Sequence, residues 1–107
     1  MDWNDSLKKY KAIVEMADVE LKGKTVPYTS DNGHMFSQLN KDGEIGIRLS
    51  NEEGKAFIEK YKADQFMSYG AKMRGYVKIP EEMLDQPELV SKYMKSGHKF
   101  VLSLEPK

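Results

Sequence analysis

Residues 73–94 read MRGYVKIPEEMLDQPELVSKYM, and the expected architecture follows from this stretch. Met73, Val77 and Ile79 alternate with Arg74, Tyr76 and Lys78, the period-2 pattern of a half-buried strand. Pro80 removes a backbone donor where a ladder bond would continue, and its fixed φ suits the first turn of a helix. Asp85 and Glu88 form a D-x-x-E pair suited to capping the helix that follows. Leu89, Val90, Tyr93 and Met94 then recur at helical spacing. Beyond them the pattern has two readings. Gly97 stops the helix and Phe100 to Leu104 pair as a strand, or the helix runs on, because Gly97, Val101 and Leu104 keep its spacing. The periodicity favours continuation.

Upstream of this stretch the chain alternates between turn signals and short apolar runs. Thr25 to Ser30 places Val26 and Tyr28 on one face, with Pro27 confining it to an edge strand. Asp31-Asn32-Gly33 is a turn. Met35 to Asn40 and Glu44 to Leu49 flank Lys41-Asp42-Gly43, a strong hairpin signal. These runs predict a three-stranded antiparallel meander. Ser50 and Glu53 form a capping box that opens a short helix with Phe57, Ile58 and Tyr61 inward. Residues 65–72 read as either strand or ordered loop, with Phe66 and Tyr69 as their aromatics and Gly70 as a bend. At the start, Trp3, Leu7, Tyr10, Val14, Ala17 and Leu21 share one helical face, which predicts a helix over residues 3–21. Asp2 or Asn4 is placed to cap it, and Gly23 to end it. The lysines on its outer face are offset by acids, so the stripe reads as packing on its own domain and not as a basic membrane-surface helix.

The expected fold is therefore α+β over residues 1–107 as a single domain. An antiparallel sheet of four to five strands, begun by the meander, packs with an N-terminal helix, a short middle helix and a C-terminal helix. A chain of 107 residues holds one core and leaves no room for separate catalytic and cofactor domains. Lys plus Arg and Asp plus Glu both total 17, so no whole-molecule basic field exists for nucleic acid. The absence of cysteine excludes disulfide and thiolate chemistry and suits a reducing cytoplasm. The acidic start Met-Asp-Trp-Asn-Asp has no apolar run behind it, and no segment approaches the ~18 apolar residues of a membrane span. A soluble cytoplasmic protein is the expectation.

Chemistry-bearing motifs are sparse. Asn40 to Ile45 resembles part of a calcium loop, but aligning Gly43 on that loop's glycine puts Gln38 and Leu49 where carboxylates are required. Gly43-Glu44-Ile45-Gly46 is a bare G-x-x-G inside a hairpin, whereas the RNA-binding version joins two helices. His34 and His98 are far apart, fit no metal spacing, and read as solvent-exposed. Glu52/Glu53 and Glu81/Glu82 sit at helix starts, where they complement the dipole; adjacent positions do not face each other as an acid/base couple would. No catalytic residue, metal ligand or cofactor is expected. The one positive feature is electrostatic. No acid occurs from Gln65 to Pro80, and Lys72, Arg74, Tyr76 and Lys78 are candidates for contact with nucleic acid or a protein partner. On a regular strand Arg74, Tyr76 and Lys78 share one face. The alternative is a solvated outer sheet face, or one covered by a helix with its charged tips reaching water.

Several segments together resemble the TfoX N-terminal domain family, also called Sxy-like: MFSQLNKDGEIGIRLS, GKAFIEKY, FMSYG and MRGYVKIPEEMLDQPELVSKYMKSG. The matching positions are Tyr76, Pro80, Glu81, Glu82, Leu84, Asp85 and Leu89, and the likeness spans about Gly33 to Gly97. The P-E-E-x-L-D segment is its most specific part. The family's opening double glycine is missing, since this region reads TVPYTSDNG, and Tyr93 stands where a tryptophan is common. The resemblance implies an α+β domain of a family linked to competence and transcription regulation. Together with the fold pattern and the absence of a catalytic constellation, it makes a non-enzymatic regulatory or interaction domain, with a protein partner or a homodimer, the first functional reading. It carries no defined set of binding residues. Nucleic-acid binding through the basic strand is the second functional reading, and a small ligand-binding domain or enzyme of unknown chemistry is the third.

Overall fold

The computed structural model describes residues 2–23, 25–68 and 70–106. The alternating runs become β1 Tyr28–Asp31, β2 His34–Leu39, β3 Ile45–Arg48, β4 Gln65–Ser68 and β5 Ala71–Lys78. Every neighbouring pair is antiparallel, and the order across the sheet is β1-β2-β3-β5-β4. Three helices, α1 Trp3–Met16, α2 Asn51–Tyr61 and α3 Pro87–Leu102, complete the expected α+β fold, with a 3₁₀ turn at Glu81–Asp85 between β5 and α3.

The register shows how the layers form. Ser37, Ile47 and Val77 lie abreast on one face, and Gln38, Gly46 and Lys78 on the other. All three helices meet the first face. Tyr10 of α1 shares a 2.7 Å hydrogen bond with Ser37 Oγ. In α3, a Cβ added at Gly97 would lie 3.2 Å from Ile47 Cγ2; in α2, one added at Gly54 would lie 3.9 Å from Val77 Cγ1. Between helices and sheet sit Tyr10, Phe36, Leu39, Ile45, Ile47, Phe57, Val90, Met94 and Val101, with essentially no exposed surface. Each such apolar side chain contributes about 1.5–3 kcal/mol on burial.

The second face carries no helix, yet it is not open. β4 curls across it. Phe66 is fully buried with its ring on Gly46, where a Cβ would come within 2.3 Å of it. The Asn40 amide donates to the Met67 carbonyl at 2.8 Å and clips the curl in place. The curl needs slack in β5, and a bulge supplies it. Gln65 pairs with Val77 but Met67 pairs with Lys72, and Gly75, inside the shifted segment, has φ +81°.

The meander forms as expected, with Asn32 and Gly33 both at positive φ as a two-residue type I′ hairpin turn requires. β1 is shorter than the predicted run and begins at Tyr28, on the sheet edge as Pro27 indicated. The N-terminal helix ends at Met16, not Leu21. Asp18 is left-handed (φ 57°), Asp18 N–H bonds Glu15 O and Val19 N–H bonds Val14 O, the paired closing bonds of a Schellman cap. Leu21 still packs on the core, but from the connection after the helix, so its helical spacing was coincidental. Ser50 caps α2 as predicted, its Oγ accepting from Glu53 N at 3.2 Å. Phe57 and Tyr61 point inward, but Ile58 turns outward at 38% exposure, because rings of Phe57, Tyr61 and Tyr93 already fill the side facing α3.

Residues 65–68 are a strand, while Tyr69 lies outside the described residues. Asp85 does not cap α3. It closes the 3₁₀ turn and pairs with Lys9 Nζ at 2.8 Å, while Gln86 takes the cap position and Pro87 the first turn. α3 runs through Gly97 to Leu102, the continuation that the periodicity favoured. Gly97 serves close approach. A Cβ there would stand 2.5 Å from the Arg48 carbonyl oxygen.

Candidate functional site

The four candidate residues of β5 do not form one surface. Lys72 and Arg74 are exposed. Tyr76 is 7% exposed, its hydroxyl donates to Met35 O at 2.8 Å, and its ring lies beside Phe66 at 6.1 Å between centroids. Burial pushes this phenol up to about 12, opposed in part by the charge of Arg48. Lys78 Nζ pairs with Glu44 Oε2 at 2.6 Å, and both side chains are about one-third exposed. The bulge at Gly75 separates Lys72 and Arg74 from Tyr76 and Lys78. The expected basic-aromatic face is thus divided. One end offers two exposed cations, the ring is sealed under β4, and the last lysine belongs to a different site.

That site is a cleft of about 360 Å³ at the end of the sheet where β3 begins and β5 stops. Four segments supply it. The β2–β3 turn brings Asp42 and Glu44, the end of α2 brings Tyr61, Lys62 and Asp64, the end of β5 brings Lys78 and Ile79, and the 3₁₀ turn brings Glu81, Glu82 and Leu84. Its apolar lining includes Tyr61 and the nearly buried Ile45, Ile79 and Leu84. Around it five carboxylates face two ammonium groups, a surplus of three negative charges.

Local structure holds each part in place. Asn40 Oδ1 accepts from Asp42 N at 3.0 Å and Glu44 N at 2.9 Å, and its amide donates to Glu44 Oε1 at 3.0 Å. Lys62 ends α2 in the left-handed conformation, and Asp64 O accepts from Lys78 N at 3.0 Å. Desolvation works to raise the Glu44 pKa, but the bonds from Lys78 and Asn40 outweigh it and hold the carboxyl below its usual range. The Lys78 ammonium is raised above the usual lysine value by its bond to Glu44, against some desolvation and with support from the charges of Asp64 and Glu81. Glu44 is therefore a fixed anion near neutral pH. It is suited to holding a cation and unsuited to donating a proton.

The two histidines are also not free. His98 stacks on Phe36 at 4.9 Å and 15°, and bonds Asp31 Oδ2 at 2.7 Å. The hydrogen bond from His98, helped by Asn32 N–H, lowers the Asp31 pKa. His34 Nε2 donates to Glu105 O at 2.8 Å, and Asn32 Nδ2 donates to Val101 O and Leu104 O, each at 2.9 Å. The hairpin turn thus ties down the C-terminal end of α3, which corrects the expectation that both histidines face solvent. Among the described residues no three His, Cys, Asp or Glu side chains are grouped to hold a metal ion, and no helix is long and apolar enough to cross a membrane.

Sequence reasoning missed Asn40, Glu44 and Asp64 as members of one site. The only local signal was the acid-rich turn Asn40 to Glu44, read there as hairpin chemistry. Comparison with known proteins gives no match to any family model, curated protein or solved structure.

Proposed function

We propose that this chain is a non-enzymatic interaction domain of the kind the TfoX N-terminal resemblance implies, acting in the cytoplasm, and that it holds its partner at the cleft closed by Glu44 and Lys78. The observation that carries this reading is the cleft itself. It is a concave site lined by apolar and charged residues from four segments, with Glu44 held by Asn40, the kind of setting that recognition sites use. The ionised, paired state of Glu44 favours binding over proton transfer. Nucleic-acid binding through Lys72, Arg74, Tyr76 and Lys78 has less support, since the Tyr76 ring is buried and Lys78 is paired with Glu44.

A photo-crosslinking residue placed at Lys62, on the cleft rim, tests the reading against the same residue at Lys11, on the outer side of α1. A defined adduct from position 62 alone supports it, and an adduct of twice the chain mass makes the partner a second copy. Equal adducts from both positions, or none from position 62 in cells expressing the protein, count against it.

A further inference from the structure

We propose that Asn32 is a covalent modification site: the Asn32-Gly33 pair deamidates, and the acid that results releases the C-terminal end of α3, so that the β1–β2 turn acts as a slow, one-way regulator of that end. Asparagine followed by glycine is the dipeptide most prone to this reaction, because glycine has no side chain to hinder attack by its own backbone nitrogen. The sequence holds a single Asn-Gly pair. Gly33 N attacks Asn32 Cγ. A C–N bond forms, the Cγ–Nδ2 bond breaks, and ammonia leaves with the proton from Gly33 N. Solvent water then opens the cyclic imide at either carbonyl, leaving aspartate or isoaspartate at position 32.

Two observations make this position consequential. The Asn32 side-chain amide donates to Val101 O and Leu104 O, each at 2.9 Å. These carbonyls lie at the end of α3, where the last carbonyls of a helix lack intrahelical donors. The backbone is equally particular: φ is 55° at Asn32 and 79° at Gly33, in a two-residue turn closed by the Asp31–His34 pair. Deamidation strikes at both. A carboxylate in place of the amide offers the two carbonyls no donor and puts negative charge at the negative end of the helix. It also stands beside the Asp31 carboxylate, which is already bonded to His98. Isoaspartate further adds a methylene to the main chain, which a two-residue turn cannot absorb without disturbing its register. The segment set free includes Val101, fully buried, and Leu104, packed on the core, with the Glu105 carbonyl that His34 holds. The same two amide bonds set the pace. While they hold, the carboxamide is fixed on α3, so the reaction runs from the locally opened turn.

The test follows aspartate and isoaspartate at position 32 by peptide mapping of the full chain, aged at one neutral pH beside a capped peptide with the sequence of residues 30–35. Two net hydrogen bonds hold the turn closed, so the full chain is expected to convert about tenfold more slowly than the peptide. His98→Ala loosens the turn from the α3 side without altering the dipeptide, and it should convert several-fold faster than the parent. Amide hydrogen exchange at residues 100–105 of the aged parent should rise toward that of Asn32→Asp. Asn32→Gly keeps the positive-φ turn and cannot deamidate, so its exchange there should be the same before and after ageing. Should Asn32→Asp fail to fold, the aged parent itself supplies the acid form.

No conversion at position 32 after many half-lives of the peptide, in the parent and in His98→Ala alike, overturns the site. Conversion of the parent as fast as the peptide, or of His98→Ala no faster than the parent, overturns the control of the reaction by α3. Unchanged exchange at residues 100–105 in the converted chain overturns the release of the helix end.

Discussion

Gly97 looks like a helix stop and acts as a spacer. Its missing side chain lets α3 lie directly on β3, where the Arg48 carbonyl oxygen would be 2.5 Å from any Cβ. Gly-to-Ala changes inside helices ordinarily stabilise by about 0.4–1 kcal/mol. Here the sign should reverse. Gly97→Ala pushes the helix off a backbone atom that cannot swing aside, so a loss of about 1–3 kcal/mol is expected from overpacking, read by urea denaturation. An unchanged or raised midpoint would mean that α3 does not sit this close to β3. Asp18 is the converse case. It pays for a left-handed backbone that glycine adopts freely, so Asp18→Gly should raise stability by a few tenths to about 1 kcal/mol in the same assay.

Elements explain why the second sheet face is sealed. β4 folds over it because the bulge around Gly75 lets the strand bend, and because Phe66 finds a flat seat on Gly46. Gly46→Ala removes that seat and should cost about 1–3 kcal/mol. Phe66→Ala costs about 3–5 kcal/mol by vacating a fully buried ring. Because the two residues touch, the double variant should be less unstable than the sum of the singles by about 0.5 kcal/mol or more. Strict additivity in that cycle would show that β4 does not lie on β3. The same curl explains the fate of Tyr76. Its place in an alternating run was legible, but the cover that buries it comes from a strand whose identity the run could not disclose.

For the whole molecule, the Glu44–Lys78 pair links the cleft to pH. The Glu44 carboxyl is lowered in the fold, so its contribution is complete above the ordinary carboxylate value of about 4.3 and fades as pH falls through the lowered one. The Lys78 ammonium is raised, so its contribution is complete below about 10.4 and fades as pH rises through the raised value. The pair thus supports the fold across the neutral range and fails at both extremes. With both side chains about one-third exposed, the effect is well under about 1 kcal/mol. Glu44→Gln should flatten the acid limb of a denaturation-midpoint profile between about pH 5 and 3; an acid limb as steep as that of the parent protein would place the titration elsewhere.

Much of this architecture was legible residue by residue. Alternation in Ile45, Ile47 and Leu49, the Asn32-Gly33 turn and the Ser50 cap are local features, set by side-chain period and backbone preference, and they determined the α+β class and the order of its elements. What lay beyond the sequence was which elements cover one another. Leu21 kept helical spacing after the helix had ended, Ile58 turned outward because three rings had taken its place, and the cleft gathered four segments that share no spacing. Periodicity reports how a residue sits on its own element. Whether Tyr76 reaches water, whether Lys78 meets phosphate or Glu44, and where a surplus of carboxylates collects depend on strand order, a bulge and the curl of β4, and those arise only when the whole chain packs.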